Sequence, residues 1–113
     1  MLHKMKLNPE PFEMIKNGTK TIELRLNDEK RRKIKTGDYI EFCNTKSGET
    51  LKCGVINLYK FSSFKELYKE LPLLKCGYTE KDLKSAKAED MDFYYSPERQ
   101  KEYGVLGIEI EAR

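Results

Sequence analysis

Lys20, Glu23 and Arg25 are the residues of this chain best placed by type and spacing to do chemistry. They fall in Gly18-Thr19-Lys20-Thr21-Ile22-Glu23-Leu24-Arg25, a stretch that reads as a β-strand. Side chains alternate across a strand, so Thr21, Glu23 and Arg25 share one face while Ile22, Leu24 and Leu26 are expected to point to the core. Strict alternation would put Lys20 with the apolar set; a place in the turn after Gly18 instead frees it to swing toward the charged row. A carboxylate between two cations stays ionised, because opposite charges lower its pKa, and this favours ligand positioning over acid catalysis. If this row lined a pocket, Arg25 would grip a phosphate or a base edge, Glu23 would accept from an exocyclic amine and Lys20 would supply charge. The competing reading is a Glu–Arg pair that merely solvates a strand surface.

The rest of the composition removes most other chemistry. The single histidine, His3, leaves a His-containing triad or a His-rich metal centre almost nothing to draw on. Cys43, Cys53 and Cys76 are an odd number with no close pair, which argues against a disulfide framework and a cysteine zinc site. Neither a metal nor a cofactor is therefore expected. No apolar run approaches the length of a membrane span and the N-terminus has no signal-peptide core, so a soluble, cytoplasmic protein is expected. Residues 1 to 35 carry ten Lys/Arg against five Asp/Glu, and the remainder twelve against fourteen. The basic character thus belongs to the N-terminal third and points to an anionic partner, nucleic acid being the commonest.

At 113 residues the chain has the length of one domain, and a monomer is expected. Met1 to Leu7 alternates as a first strand. Asn8 with Pro9 reads as an N-cap followed by proline at the first helical position, with Phe12 and Ile15 inward and Gly18 closing the helix. Lys20 to Leu26 is the second strand, followed by a helical turn through Lys30-Arg31-Arg32-Lys33 capped from Asn27-Asp28-Glu29. Tyr39 to Asn44 and Thr50 to Tyr59 form a hairpin in which Gly54 marks a bulge. A helix capped at Ser62 or Ser63 places Phe64, Leu67, Tyr68 and Leu71 on one face. Thr79 opens a weaker helix, Ser96-Pro97 opens another that ends at Tyr103-Gly104, and Val105 to Glu111 is the last strand. The pattern is α+β: about five mostly hairpin-connected strands in a small, partly closed barrel with helices on one side.

Gly18-x-Lys20-x-x-Glu23-x-Arg25 after a short helix, the Lys35-Thr36-Gly37-Asp38-Tyr39-Ile40 turn and the closing Tyr103-Gly104-Val105-Leu106-Gly107-Ile108 together resemble the ASCH domain family, relatives of PUA domains. The resemblance covers nearly the whole chain. It implies a PUA-like β-barrel over residues 1–113, with Lys20, Glu23 and Arg25 projecting into a cleft between barrel and helices. It also implies RNA binding or action on nucleotide-like substrates. One bacterial branch of the family deacetylates N4-acetylcytidine with a lysine, a threonine and a glutamate. Lys20 matches that lysine, but Glu23 stands where the threonine nucleophile would be. The branch's glutamate falls in the helical region after the fourth strand, where Glu66 or Glu70 stands.

Other features carry two readings each. Lys30-Arg31-Arg32-Lys33-Ile34-Lys35 is either a phosphate-backbone contact or a solvated helical surface. Phe93, Tyr94 and Tyr95 either stack on a base or pack at the edge of the core. Ser96 is a helix cap, and Cys43 and Cys53 are small buried residues on neighbouring strands. Two functions follow. The first is an RNA- or nucleotide-binding module using Lys20, Glu23, Arg25, Tyr94 and Tyr95. The second is a metal-independent hydrolase of N4-acylated cytidine or RNA, with Lys20 and Glu23 catalytic. A protein-interaction module has no positive support.

Overall fold

The computed structural model describes all 113 residues, Met1 to Arg113. Its five strands are β1 (Leu2–Leu7), β2 (Ile22–Leu26), β3 (Tyr39–Asn44), β4 (Thr50–Phe61) and β5 (Val105–Ala112). They pair in the order β1-β3-β4-β5-β2, with β1 parallel to β3 and every other neighbour antiparallel. Only β3 and β4 form a hairpin, so the expectation of mostly hairpin-connected strands is corrected. A parallel pair needs a crossover. The crossover runs through α1 (Pro9–Lys16) to the far edge of the sheet, where β2 pairs with β5, and returns from there to β3.

The local signals explain most element boundaries. Asn8 stands at the N-cap of α1 and Pro9 at its first position, but the Asn8 side chain makes no cap hydrogen bond. Pro11 sits where a capped N–H would be and has none to donate. Asp28 does cap its turn, its carboxylate accepting from the Arg31 amide at 3.1 Å at the start of the 3₁₀ turn Arg31–Lys33. Ser63 caps α2 (Phe64–Glu70) and Ser96 caps α4 (Pro97–Tyr103), each hydroxyl accepting from the amide three residues on. Thr79 and Asp82 form a reciprocal capping box on α3 (Glu80–Leu83). Gly104 ends α4 at φ +74°, ψ −174°, a region essentially confined to glycine. A Cβ there would also sit 2.9 Å from the Phe61 carbonyl oxygen.

The start of β2, the end of β4, which runs on from Tyr59 to Phe61, and the site of the bulge differ from expectation. β2 begins at Ile22 because the Lys20 amide donates to Met14 and the Thr21 amide to Lys75, which diverts both amides from the ladder, although the Thr21 carbonyl still accepts from the Ile110 amide of β5. The bulge in β4 lies at Ile56, between Val55 and Asn57, and not at Gly54. Gly54 keeps regular pairing and lies beneath the Arg113 guanidinium.

The sheet curls around one core and presents its outer face to another. Inside lie Met5, Leu7, Phe42, Ile40, Leu106 and Ile108, with Phe12 and Ile15 of α1 covering the open side. Outside, Ile22, Leu24 and Val105 pack under Phe64 and Leu67 of α2, with Cys76 and Met91 from the connecting 3₁₀ turns Leu73–Cys76 and Ala88–Phe93. Full burial of an aromatic or aliphatic side chain contributes about 1.5–3 kcal/mol, so both layers hold the sheet. No helix is long and apolar enough to cross a membrane.

Candidate functional site

The register of β2 against β5 decides where the charged row points. Glu23 stands opposite Ile108 and Arg25 opposite Leu106, so both charges share the face of the barrel's inner core. Ile22 and Leu24, expected in that core, turn outward and pack under the helices instead. Both faces of β2 are covered, a possibility that alternation alone does not reveal.

Burial without solvent leaves Glu23 dependent on its partners. Its side chain is 4% exposed and those of Lys20 and Arg25 are 10% and 13% exposed. Lys20 Nζ lies 2.7 Å from Glu23 Oε1. Arg25 Nε donates to Glu23 Oε2 at 2.8 Å, while its Nη2 donates to the Lys6 carbonyl at 2.9 Å. Lys6 is on β1 and Arg25 on β2, the two edges of the sheet, so this guanidinium bridges the seam that backbone pairing leaves open. Burial pushes the Glu23 carboxyl up, but Lys20 and Arg25 outweigh it and hold the group below its ordinary value. Burial likewise disfavours the Arg25 cation, and Glu23 more than restores it. The reading of these residues as a solvated surface pair does not fit a carboxylate this deeply covered.

The cluster forms the floor of a cleft of about 750 Å³ between the barrel seam, α1 and the segment from Cys76 to Tyr95. Lys20, outside β2 as the turn placement requires, lies over Gly77; a Cβ on Gly77 would stand 3.2 Å from Lys20 Cδ. Tyr94 and Tyr95 both line the cleft but in different states. Tyr94 is 63% exposed and Phe93 89%, whereas the half-buried Tyr95 ring stacks on Phe64 at 6.2 Å and 17°. Tyr94 is therefore free to receive a planar ligand, and Tyr95 chiefly closes the second core. Glu66 and Glu70 are exposed on α2 and are not among the lining residues.

Several lining residues escaped the sequence reading. Asn8 reaches the cleft because it does not cap α1, and its Oδ1 lies 3.5 Å from Thr45 Oγ1. Asp82 and Asp90, whose carboxylates accept from the Thr79 and Lys87 amides, also line it, as does Glu10. The carboxylates of Glu10, Glu23, Asp82 and Asp90 thus face Lys6, Lys20 and Arg25, and the charges nearly balance. No group of three or more His, Cys, Asp or Glu side chains could hold a metal ion. Burial pushes the Cys76 thiol up to about 11, which favours its protonated form. Cys43 is only half-buried, unlike Cys53, which corrects the expectation that both are enclosed; all three cysteines are free.

What this arrangement offers is a set of fixed donors and acceptors with an aromatic wall. A ligand's acceptor can meet Lys20, its donors can meet the opposing carboxylates, and its flat face can meet Tyr94. The near balance of charge makes the cleft a poor general anion trap.

The same arrangement of strands and helices occurs in solved structures. The hypothetical protein PH0355 is 38% identical, with full coverage of both chains and a TM-score of 0.84. PF0455 from Pyrococcus furiosus is 37% identical over 99% of this chain and 97% of its own, with a TM-score of 0.75. A serine-to-alanine mutant of ZmASCH from Zymomonas mobilis shares the fold at 14% identity, over 97% of this chain and 67% of its own, with a TM-score of 0.67. A search of curated proteins gives no significant match. The ASCH domain model matches residues 5–112, a span that takes in the curled half-barrel from Met5 of β1 onward and all its helices. The chain belongs to the ASCH domain family.

Proposed function

We propose that this protein binds RNA or a nucleotide-like ligand by taking one base into the cleft above Lys20, Glu23 and Arg25. The observation that carries the reading is the buried ion cluster fixed on the floor of an aromatic-walled cleft. Burying such charges is costly and only their mutual pairing offsets it, and perturbed charges gather at functional sites. The balanced lining suits a base edge, which presents donors and acceptors together, better than it suits a bare phosphate. Stacking on Tyr94 would add the sequence-tolerant part of the affinity. Membership of a PUA-like family linked to RNA binding supports the same reading.

Hydrolysis of N4-acylated cytidine or of RNA by Lys20 and Glu23 is the alternative. The geometry favours it less, because both Glu23 oxygens are engaged by cations and the carboxylate is held ionised. One experiment separates the two. Calorimetric titration with nucleosides and a short single-stranded RNA should show binding that Lys20→Ala and Tyr94→Ala each weaken about fivefold or more. Binding indifferent to both substitutions would sink the proposal. Turnover of N4-acetylcytidine or RNA that disappears in Lys20→Ala would establish the enzymatic reading in its place.

A further inference from the structure

A second groove of about 530 Å³ lies beside the cleft, and the two share Lys6 and Arg25. Their charge differs sharply. The second groove adds Lys4, Lys30 and Arg31 to the shared pair and holds one carboxylate, Glu41. Arg25 is offset by Glu23, and Arg31 by Asp28 at 3.1 Å. Lys4, Lys6 and Lys30 are exposed and belong to no ion pair, so three unneutralised ammonium groups face one carboxylate. Arg31 Nε is in addition buried without a hydrogen-bond partner.

We infer that the ligand is a single-stranded polynucleotide whose phosphates follow this groove while one of its bases enters the cleft. The inference rests on the base-binding reading of the cleft and adds the partner's class, a strand and not a free nucleoside. The physical reason is division of labour. A near-neutral cleft discriminates by hydrogen bonding, whereas a groove of unpaired cations tracks a backbone and supplies salt-sensitive affinity. Arg25 and Lys6 at the junction lie where a strand would pass from one to the other. Part of the positive charge of the N-terminal third collects here: Lys4 and Lys6 are about 25 positions from Lys30 and Arg31 in sequence, and the two pairs converge on the barrel seam.

The test compares a nucleoside with a ten-residue single-stranded RNA across 50 to 400 mM salt, using the intact protein and the Lys4→Ala/Lys30→Ala double variant. Each phosphate contact on a single strand contributes about 0.7 to the slope of log affinity against log salt, so the double variant should lose about 1.4 of slope. On the same relation its RNA affinity at 0.1 M salt falls about 25-fold. Its nucleoside affinity should stay as in the parent. RNA that binds no tighter than the nucleoside, or a slope the double variant leaves unchanged, would overturn the groove while leaving the cleft reading intact. Absence of binding by either probe would overturn both. Circular dichroism of the double variant excludes misfolding as the cause of a loss, since both lysines are on the surface.

Discussion

Replacing Glu23 by glutamine tests whether the ion cluster holds the barrel seam. The amide keeps the shape of the side chain but offers only one acceptor oxygen, so either Lys20 or Arg25 must face an N–H₂ group. Removing one member of a buried ion pair typically costs about 3–5 kcal/mol. Lys20 and Arg25 can still touch cleft water, at 10% and 13% exposure, which places the expected loss near the lower end, about 3 kcal/mol. With an m-value of about 1.5 kcal/mol/M, urea unfolding at pH 7 should shift its midpoint down by roughly 2 M. The pH dependence gives an independent check. Glu23 has a folded pKa below its ordinary 4.5, so its contribution is present above that value and is lost as pH falls through the folded pKa. The gap between parent and variant should therefore narrow steadily as the medium is acidified below pH 4.5. Arg25→Gln combined with Glu23→Gln should cost less than the sum of the single changes, by roughly 1–3 kcal/mol, as expected for groups in contact. A loss under about 1 kcal/mol at pH 7, or a gap undiminished by acid, would refute the argument and return the pair to the class of weak surface ion pairs.

Three further outcomes follow from the geometry. Gly77→Ala should lower stability by about 1–2 kcal/mol, because φ is +103° there, and should also weaken ligand binding by pressing on the Lys20 stem; urea unfolding and titration read the two effects separately. Tyr94→Ala should reduce RNA affinity by about 1–3 kcal/mol with an unchanged melting temperature, whereas Tyr95→Ala, which removes the stack on Phe64, should destabilise the fold by about 2 kcal/mol. Asp38 accepts from His3 Nε2 at 2.8 Å and from the Lys35 amide, and these hydrogen bonds hold it at about 2 against an ordinary 3.8. Its contribution is thus present above pH 3.8 and lost as pH falls through about 2, so Asp38→Asn should be less stable than the parent at pH 7, with a gap that shrinks below pH 3.8 and closes only below pH 2.

Much of the chain could be read because its signals are local. Serine caps, prolines at helix starts and β-branched alternation act over three or four residues, and Ser63, Ser96 and Thr79 all cap as their sequence context predicts. Asn8 fails because a proline three positions on lacks the N–H to be capped, a local fact too, but one that competes with the stronger pattern. The bulge falls at Ile56 and not at the expected Gly54 because it answers to the pairing of β4 with β5, residues about 50 positions apart. The motif Lys20, Glu23, Arg25 was legible as a unit, and Tyr94 and Tyr95 as its aromatic neighbours. Nothing nearby in sequence marks Asn8, Glu10, Asp82 or Asp90 as their companions.

By itself the sequence determined the strands, the helix starts, a carboxylate flanked by two cations and the resemblance that these carry. The fold alone decided which way the charges face. Alternation separates two faces of a strand without saying what covers each, and here β5 turns Glu23 and Arg25 inward while α2 covers the other side. Strand order, set by contacts across the whole chain, brings Lys6 on one sheet edge to Arg25 on the other. The ion pair read from two neighbouring letters thereby becomes a seam, with a neutral cleft on one side and a basic groove on the other.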